Sequence, residues 1–238
     1  EGPMRVGIPI ADLTSGLYCA LGILVALLAR DEIGEGQWVQ TSLLQSQIAM
    51  LDFQATRWLI NGEVPPQAGN NHPTSIPTGV FETSDGYINL AVTGQVIWER
   101  FCQAVDAERL IEHPDYKTSA LRSQNRDALG EEINAILRTA DSDTWISRFN
   151  KSGVPAGPIN TIDKVFADPQ VQHLEMAQKV TSNTLGELTL VGQPIKMNKT
   201  PSSMKLAPPE RGEHSDEILQ EFGYSPAEIA DLKDAGVV

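Results

Sequence analysis

The sequence predicts an α/β fold that begins with long helices and a strand, continues as a small α+β region and ends in a tail with two helices. Three observations support this fold class. Residues 13–30 have the apolar spacing of a long helix, residues 61–79 have the composition of a linker, and residues 80–92 have the pattern of a β-hairpin. A chain of 238 residues can bury one large core or two smaller ones.

Two helices and a strand are predicted before residue 66. The first helix runs from about Leu13 to Arg30. Its apolar stretch of residues 17–29 is too short to span a bilayer and predicts a buried helix. Residues 37–41 alternate in the manner of a short strand. Between residues 43 and 60, apolar side chains recur at intervals of three and four, which predicts a second helix.

The linker composition of residues 61–79 predicts a domain boundary, and a hairpin follows it. The segments 80–83 and 87–92 flank Ser84-Asp85-Gly86, in which Asp-Gly is expected to supply the positive φ angles of a tight turn. Three helices are predicted next, at about 96–106, 124–139 and 142–150. This part of the chain is therefore α+β.

The last part of the chain combines short helices with one strand. The predicted elements are helices at about 162–166 and 169–177, a strand at 187–191, and helices that begin at Ser215 and Pro226. The final helix has a capping-box sequence in Ser225 and Glu228, with proline at its first helical position.

The charge and cysteine content limit the partners and the compartment. Thirty-one acidic residues against eighteen Lys and Arg give a net charge of −13, which is unfavourable for binding nucleic acid or an anionic membrane. The sequence also has no cluster of Arg and Lys for the phosphates of an anionic ligand. Cys19 and Cys102 lie far apart in apolar helical patterns, which predicts buried thiols in a reducing compartment. We therefore expect a cytoplasmic protein.

Asp12 is the candidate catalytic residue. It stands where an extended apolar approach becomes a long helix, and the free N–H groups and dipole of a helix start favour an ionised carboxylate. Such a carboxylate either caps the helix, with Ser15 three residues on, or serves as a nucleophile. Position alone favours the cap.

The loop Gly69-Asn70-Asn71-His72 is a second candidate, because small and amide residues allow a ligand to approach the backbone. A plain linker is an equally good interpretation of its composition. Dinucleotide, P-loop, nucleophile-elbow and zincin motifs are missing from the sequence. The four histidines are scattered singly, so no metal site is predicted.

Four segments in a fixed order resemble the family III CoA-transferases, a family that also includes the α-methylacyl-CoA racemases. The segments contain PIADLTSG, GNNHPTSIPTG, GVPAGPIN and VGQPIKMN, and the resemblance covers the whole chain. It implies that residues 1–66 belong to a Rossmann-like large domain, that residues 67–180 form a small α+β domain, and that residues 181–238 return to the large domain.

The resemblance also implies a function and a site. Asp12 would be the nucleophile of acyl-CoA:carboxylate CoA-transfer, working through a mixed anhydride and then an aspartyl-CoA thioester. The substrates would be a coenzyme A thioester and a carboxylic acid, with no permanently bound cofactor. Gly69, Asn70, Asn71 and His72 would form the substrate loop, although GNNHP differs from the consecutive glycines of formyl-CoA transferases.

Two alternatives follow from the same resemblance. A racemase needs a glutamate just after the hairpin, where this sequence reads Thr93-Gly94-Gln95-Val96, so CoA-transfer is favoured. A catalytically incomplete chain or partner subunit is the other alternative, because family members have a further N-terminal half that holds the CoA nucleotide. The family forms interlocked dimers, so a homodimer is the expected assembly.

Overall fold

The computed structural model describes residues 4–238, and the chain divides into two compact units between Pro158 and Ile159. Both units combine helices with antiparallel strands, which confirms the predicted mixed fold class. The predicted boundaries near residues 66 and 180 lie inside these two units. The division into a Rossmann-like large domain and a small domain therefore stays a prediction.

Helix α1 (Ile10–Ile33) contains the whole of the first predicted helix. Gly34 ends it in a left-handed conformation with φ 75°, and the Gly34 N–H donates to the carbonyl oxygen of Arg30 at 2.9 Å. Glycine suits this position because a Cβ would be strained at such a φ.

The prediction that α1 is buried is wrong for the described part of the chain. Thr14 is the buried residue of this helix, whereas Leu17, Leu24 and Leu28 are 68%, 57% and 71% exposed. Apolar spacing predicts an apolar face but does not say what covers it. The helix is longer than the apolar stretch of residues 17–29, and its 24 residues rise about 36 Å. By length and composition α1 could cross a membrane, a property that core helices of soluble proteins share.

Two helices, α2 (Leu43–Ala49) and α3 (Asp52–Asn61), replace the single helix predicted at residues 43–60. The break lies at Asp52, whose φ of 50° is incompatible with a continuous right-handed helix. The strand predicted at residues 37–41 is not formed. A strand needs a partner, and no residue from 4 to 238 pairs with this segment.

A three-stranded antiparallel sheet follows, with the order β1 (Thr78–Glu82), β2 (Tyr87–Ala91) and β3 (Ala156–Pro158). The first two strands confirm the predicted hairpin. The predicted turn geometry is wrong, because neither Asp85 nor Gly86 adopts a positive φ and the connection has four residues, 83–86, instead of the three predicted. The Asp85 carboxylate shapes this wider loop by accepting hydrogen bonds from Thr83 Oγ1 (3.0 Å) and from the backbone N–H of Ser142 (2.9 Å).

Four helices pack beside this sheet, and three of them confirm the helices predicted at about 96–106, 124–139 and 142–150, whereas the helix Ser119–Gln124 was not predicted. They are α4 (Gln95–Ala104), α5 (Ser119–Gln124), α6 (Arg126–Leu137) and α7 (Ser142–Ser152), with a 3₁₀ turn at Glu108–Leu110. Phe101 lies at the centre of the core, with its ring 5.9 Å from that of Trp98 and 5.6 Å from that of Phe149. Such aromatic pairs each contribute about 1 kcal/mol beyond burial.

The second unit contains a two-stranded sheet and four helices. They are α8 (Ile162–Ala167), α9 (Pro169–His173), β4 (Ala177–Ser182), β5 (Gly186–Val191), α10 (Ser215–Glu221) and α11 (Pro226–Asp234). Strand β5 and the four helices were predicted, whereas β4 was not: it begins at Ala177, the last residue of the helix predicted at 169–177, which ends at His173 in the structure. Ser225 and Glu228 form the predicted capping box.

Candidate active site

Asp12 lies in the first turn of α1 and is exposed within the chain. Its carboxylate forms no hydrogen bond or ion pair with residues 4–238. Pro9 occupies the cap position and provides no side-chain cap. The interpretation of Asp12 as a helix cap is therefore wrong for the described residues, and the carboxylate is free for another role.

The neighbouring hydroxyl groups do not complete a cap either. Thr14 Oγ1 donates to the carbonyl oxygen of Ile10 at 2.6 Å, and Ser15 Oγ donates to that of Ala11 at 2.8 Å. Both bonds run back along the helix, so they leave the N–H groups of the first turn unpaired by side chains. These N–H groups and the helix dipole favour negative charge beside Asp12.

The predicted substrate loop is tied to strand β1. The Val80 N–H donates to the Asn70 carbonyl oxygen at 3.2 Å, and the His72 N–H donates to the Thr78 carbonyl oxygen at 2.7 Å. Asn71 forms an isolated bridge with Gly79. Residues 70–72 are therefore joined to strand β1 by backbone hydrogen bonds, and their role in substrate binding stays a prediction.

His72 is held through both its ring and its backbone. Its Nδ1 accepts hydrogen bonds from the N–H groups of Thr74 (3.2 Å) and Ser75 (2.9 Å), so the neutral ring carries its proton on Nε2. The ring stacks on Phe53 of α3 with a centroid distance of 5.9 Å and an interplanar angle of 10°. Nε2 forms no hydrogen bond with residues 4–238 and is therefore available as a donor to a ligand.

Two arginines that the sequence interpretation missed donate hydrogen bonds to backbone carbonyl groups between residues 72 and 76. Arg126 Nη2 donates to the carbonyl oxygens of His72 (3.2 Å) and Pro73 (2.8 Å). Arg122 is 2% exposed, and its Nε donates to the carbonyl oxygen of Ile76 at 3.1 Å. Burial lowers the pKa of the Arg122 guanidinium, which lies 4.8 Å from the centre of the Trp98 ring. No sequence pattern identified these residues, because these acceptor carbonyl groups lie 46 to 54 residues away along the chain.

A polar pocket of about 250 Å³ adjoins the same loop. Asn71, Arg126 and Asn134 line it together with Asp127 and Glu131. Asn71 is the member of the predicted substrate loop that reaches this pocket, and Asp12 does not line it. The structure thus unites Gly69, Asn70, Asn71 and His72 in one loop, and it records no direct contact between that loop and Asp12.

The segment that was compared with racemases serves a structural purpose. Gln95 Oε1 accepts a hydrogen bond from Arg122 Nη1 at 3.3 Å, and Gln95 Nε2 donates to Glu99 Oε1 at 3.2 Å. The segment of residues 93–96 therefore contains no carboxylate, and its amide side chain, Gln95, is engaged by a buried arginine. Among the described residues, no group of three or more His, Cys, Asp and Glu side chains is arranged to hold a metal ion.

Comparisons with known proteins identify the family. The model of "CoA-transferase family III" matches residues 1–215. The succinyl-CoA:glutarate CoA-transferase of Homo sapiens is 33% identical over 237 residues, which cover 99% of this chain and 54% of that protein. The succinyl-CoA:mesaconate CoA-transferase of Haloarcula hispanica is 34% identical over 222 residues, which cover 93% of this chain and 55% of that protein.

A solved structure supports the same assignment. The crystal structure of a CAIB/BAIF family protein from Brucella suis matches with a TM-score of 0.75 and 29% identity, covering 93% of this chain and 57% of that one. The chain spans about half the length of the curated relatives it matches. Since the family model extends over most of the sequence, the chain belongs to CoA-transferase family III.

Proposed function

We propose that this chain carries the nucleophile of an acyl-CoA:carboxylate CoA-transferase and that Asp12 forms a covalent aspartyl-CoA thioester. The observation that carries the proposal is the free carboxylate in the first turn of a 24-residue helix, with no cap and no ion pair among residues 4–238. A nucleophilic carboxylate must be ionised and unpaired, and both conditions are favoured at this position.

The first half of the proposed reaction loads CoA onto the enzyme. A carboxylate oxygen of Asp12 attacks the thioester carbonyl carbon, the C–S bond breaks, and CoA leaves as a thiolate while a mixed anhydride forms. The thiolate then attacks the aspartyl carbonyl carbon of that anhydride. The C–O bond breaks, the donor acid departs as a carboxylate, and Asp12 holds CoA as a thioester.

The second half returns CoA to an acceptor. The acceptor carboxylate attacks the aspartyl thioester, which releases the thiolate and forms a second anhydride. Attack of the thiolate on the acceptor carbonyl gives the new acyl-CoA and regenerates the Asp12 carboxylate. Each tetrahedral intermediate develops a negative oxygen, which backbone N–H groups at the start of α1 would stabilise.

We propose a dicarboxylic acid system as substrate, with succinyl-CoA as donor. Relatives named for succinyl-CoA paired with glutarate, mesaconate and D-citramalate support this class. The Nε2–H of His72 and the amide groups of Asn70 and Asn71 are suited to donate hydrogen bonds to the carboxylate that does not react. Of these donors, the Nε2–H of His72 has the most fixed direction, because the His72 ring is held by Phe53 and by two backbone N–H groups.

We further propose that the active enzyme is a homodimer that needs protein beyond residues 4–238 to bind the CoA nucleotide. The exposed apolar side chains of α1, α2 and α3, among them Leu17, Leu44 and Leu59, support an assembled state, since clustered exposed apolar side chains mark surfaces that contact protein. The chain alone is expected to bind CoA weakly, because it offers no cluster of Arg and Lys for the phosphates.

Steady-state assays of the natural gene product test this function directly. With succinyl-CoA and glutarate, the wild-type protein is expected to form glutaryl-CoA and succinate, separated and measured by chromatography. Asp12→Ala should lower kcat by at least about 10⁴-fold, because no nucleophile remains.

Asp31→Ala is the matched control, since Asp31 is another carboxylate on α1 but lies near the opposite end. It should retain activity within about twofold. Equal activity of the wild type and Asp12→Ala would contradict the proposed nucleophile, and exchange of the α-proton with solvent deuterium without CoA-transfer would favour the racemase instead.

A further inference from the structure

We propose that Arg126 and Phe53 are positioning residues for His72. Arg126 holds the backbone at His72 and Phe53 holds its ring, so that the Nε2–H bond points toward the substrate. We call this pair of contacts the clamp. This inference rests on the proposed function, because it assigns His72 a hydrogen bond to the substrate carboxylate that does not react. Neither Arg126 nor Phe53 is expected to touch the substrate.

The backbone of the loop is fixed by Arg126. A single nitrogen, Nη2, bridges the carbonyl oxygens of two successive residues, His72 and Pro73. These hydrogen bonds from a charged donor restrict the 72–73 and 73–74 peptide planes. The peptide plane on the other side of His72 is held by its N–H, which donates to the Thr78 carbonyl oxygen at 2.7 Å, so the two sets of bonds together fix the Cα–Cβ direction of His72. No carboxylate of residues 4–238 forms an ion pair with Arg126, so the guanidinium is not drawn away from these carbonyls.

The ring of His72 is fixed by contacts on a face and an edge. Phe53 covers one face in a nearly parallel stack, with an interplanar angle of 10°. The Thr74 and Ser75 N–H groups point at Nδ1, which determines the tautomer. The edge that contains Nε2 is thereby the part of the ring left free for a ligand.

The two contacts come from different parts of the first unit. Phe53 belongs to α3 and Arg126 begins α6, while His72 lies on the segment that joins α3 to β1. The clamp therefore makes the position of His72 depend on both helices. Small errors in the position of a catalytic donor have large kinetic effects, of the order of a hundredfold per ångström.

A double-mutant cycle in the natural gene product tests the clamp. Arg126→Ala is expected to lower kcat by about 10- to 100-fold, with the KM for succinyl-CoA changed by less than about threefold. In a His72→Ala background, Arg126→Ala should cost less than about threefold, because the group that it positions is already missing. Arg126→Lys should recover part of the loss, since it restores a charged donor.

Phe53→Leu is the second, independent variant, and it should show the same dependence on His72. Arg109→Ala is the matched control: Arg109 is 62% exposed and pairs with Glu132 at the surface, so its loss should leave kcat within about twofold. Additive effects of Arg126→Ala and His72→Ala, or full activity of His72→Ala, would overturn the inference.

Hydrogen exchange separates this inference from the proposed function. Peptides that cover residues 70–76 should exchange faster in Arg126→Ala and in Phe53→Leu than in the wild type, while peptides of the α6 helix beyond its first turn should not change. Unchanged exchange of the loop would overturn the clamp even in an active enzyme. A wild-type protein that transfers no CoA would refute the proposed function. The clamp would still be tested in that case, because hydrogen exchange of the loop is measured without turnover.

Discussion

Gly79 of strand β1 lies directly against the backbone of Asn70. A Cβ at position 79 would stand 2.6 Å from the Asn70 carbonyl oxygen and 2.9 Å from the Asn71 Cα. Real Cβ atoms do not approach backbone so closely, so a side chain here must displace the loop or the strand. The geometry of the candidate substrate loop therefore depends on glycine at a position outside that loop.

Gly79→Ala should consequently damage activity more than it damages the fold. We expect a loss of about 1–3 kcal/mol in the free energy of unfolding from overpacking, and a loss of about 10- to 100-fold in kcat/KM from movement of His72. Steady-state kinetics and urea unfolding of the same preparations measure both quantities.

Gly86→Ala is the control for this substitution, because no atom lies within 4 Å of a Cβ at Gly86 and its φ is not in the left-handed region. It should change stability by less than about 0.5 kcal/mol and leave kcat/KM unaltered. Equal effects of the two substitutions would contradict the steric argument.

Removal of the Arg122 side chain should destabilise the first unit. Its guanidinium is the donor to the carbonyl oxygens of Ile76 and Tyr116, and it covers the Trp98 ring. Arg122→Ala leaves buried acceptors without donors and opens a cavity, which predicts a loss of about 2–4 kcal/mol in the free energy of unfolding. Urea titration followed by Trp fluorescence provides the value, and a loss below about 0.5 kcal/mol would argue against a structural role.

The stability of the hairpin loop should depend on acid pH. The N–H and hydroxyl groups of Ser142 hold the pKa of Asp85 below its ordinary value. A folded pKa that is lowered adds stability above the unfolded pKa, near 4, and that stability is lost as the pH falls through the folded pKa. Asp85→Asn should therefore lower Tm at pH 6 and should differ less from the wild type at pH 2.5. A difference in Tm that grows toward low pH would contradict this.

Cys102 should resist thiol reagents in the folded protein. Burial raises the pKa of its thiol to about 12, so only about one molecule in 10⁴ carries the reactive thiolate at pH 8. Mass mapping after iodoacetamide treatment should detect carbamidomethyl-Cys102 after unfolding in urea and not before. Rapid labelling of Cys102 in the native state would mean that the core around Trp98 and Phe101 opens readily.

Many helix ends could be predicted from short-range sequence patterns. A helix was predicted at about 142–150, and Asp141 caps its start with a carboxylate that accepts the Thr144 N–H at 2.7 Å. The capping box of Ser225 and Glu228 was predicted in the same way. These contacts join residues three apart, so the sequence contains the full information for them.

Features that depend on distant residues were not predictable. The apolar spacing of residues 43–60 continues through the break at Asp52, and strand β3 is recognisable only by its pairing with β2. Arg122 resembles a surface charge in sequence because its acceptor in the loop, Ile76, lies 46 residues away. For the candidate site, Asp12 and the loop were predicted, whereas Phe53, Gly79 and Arg126 act through contacts that only the folded chain reveals.

Trapping of the covalent intermediate is the most direct test of the central claim. The natural gene product is incubated with succinyl-CoA without acceptor, treated with hydroxylamine, digested and analysed by mass spectrometry. Our account predicts a hydroxamate on Asp12, formed only when the CoA ester is present and missing from Asp12→Ala. Efficient CoA-transfer by the same preparation, with Asp12 recovered unmodified and a hydroxamate on another carboxylate, would contradict it.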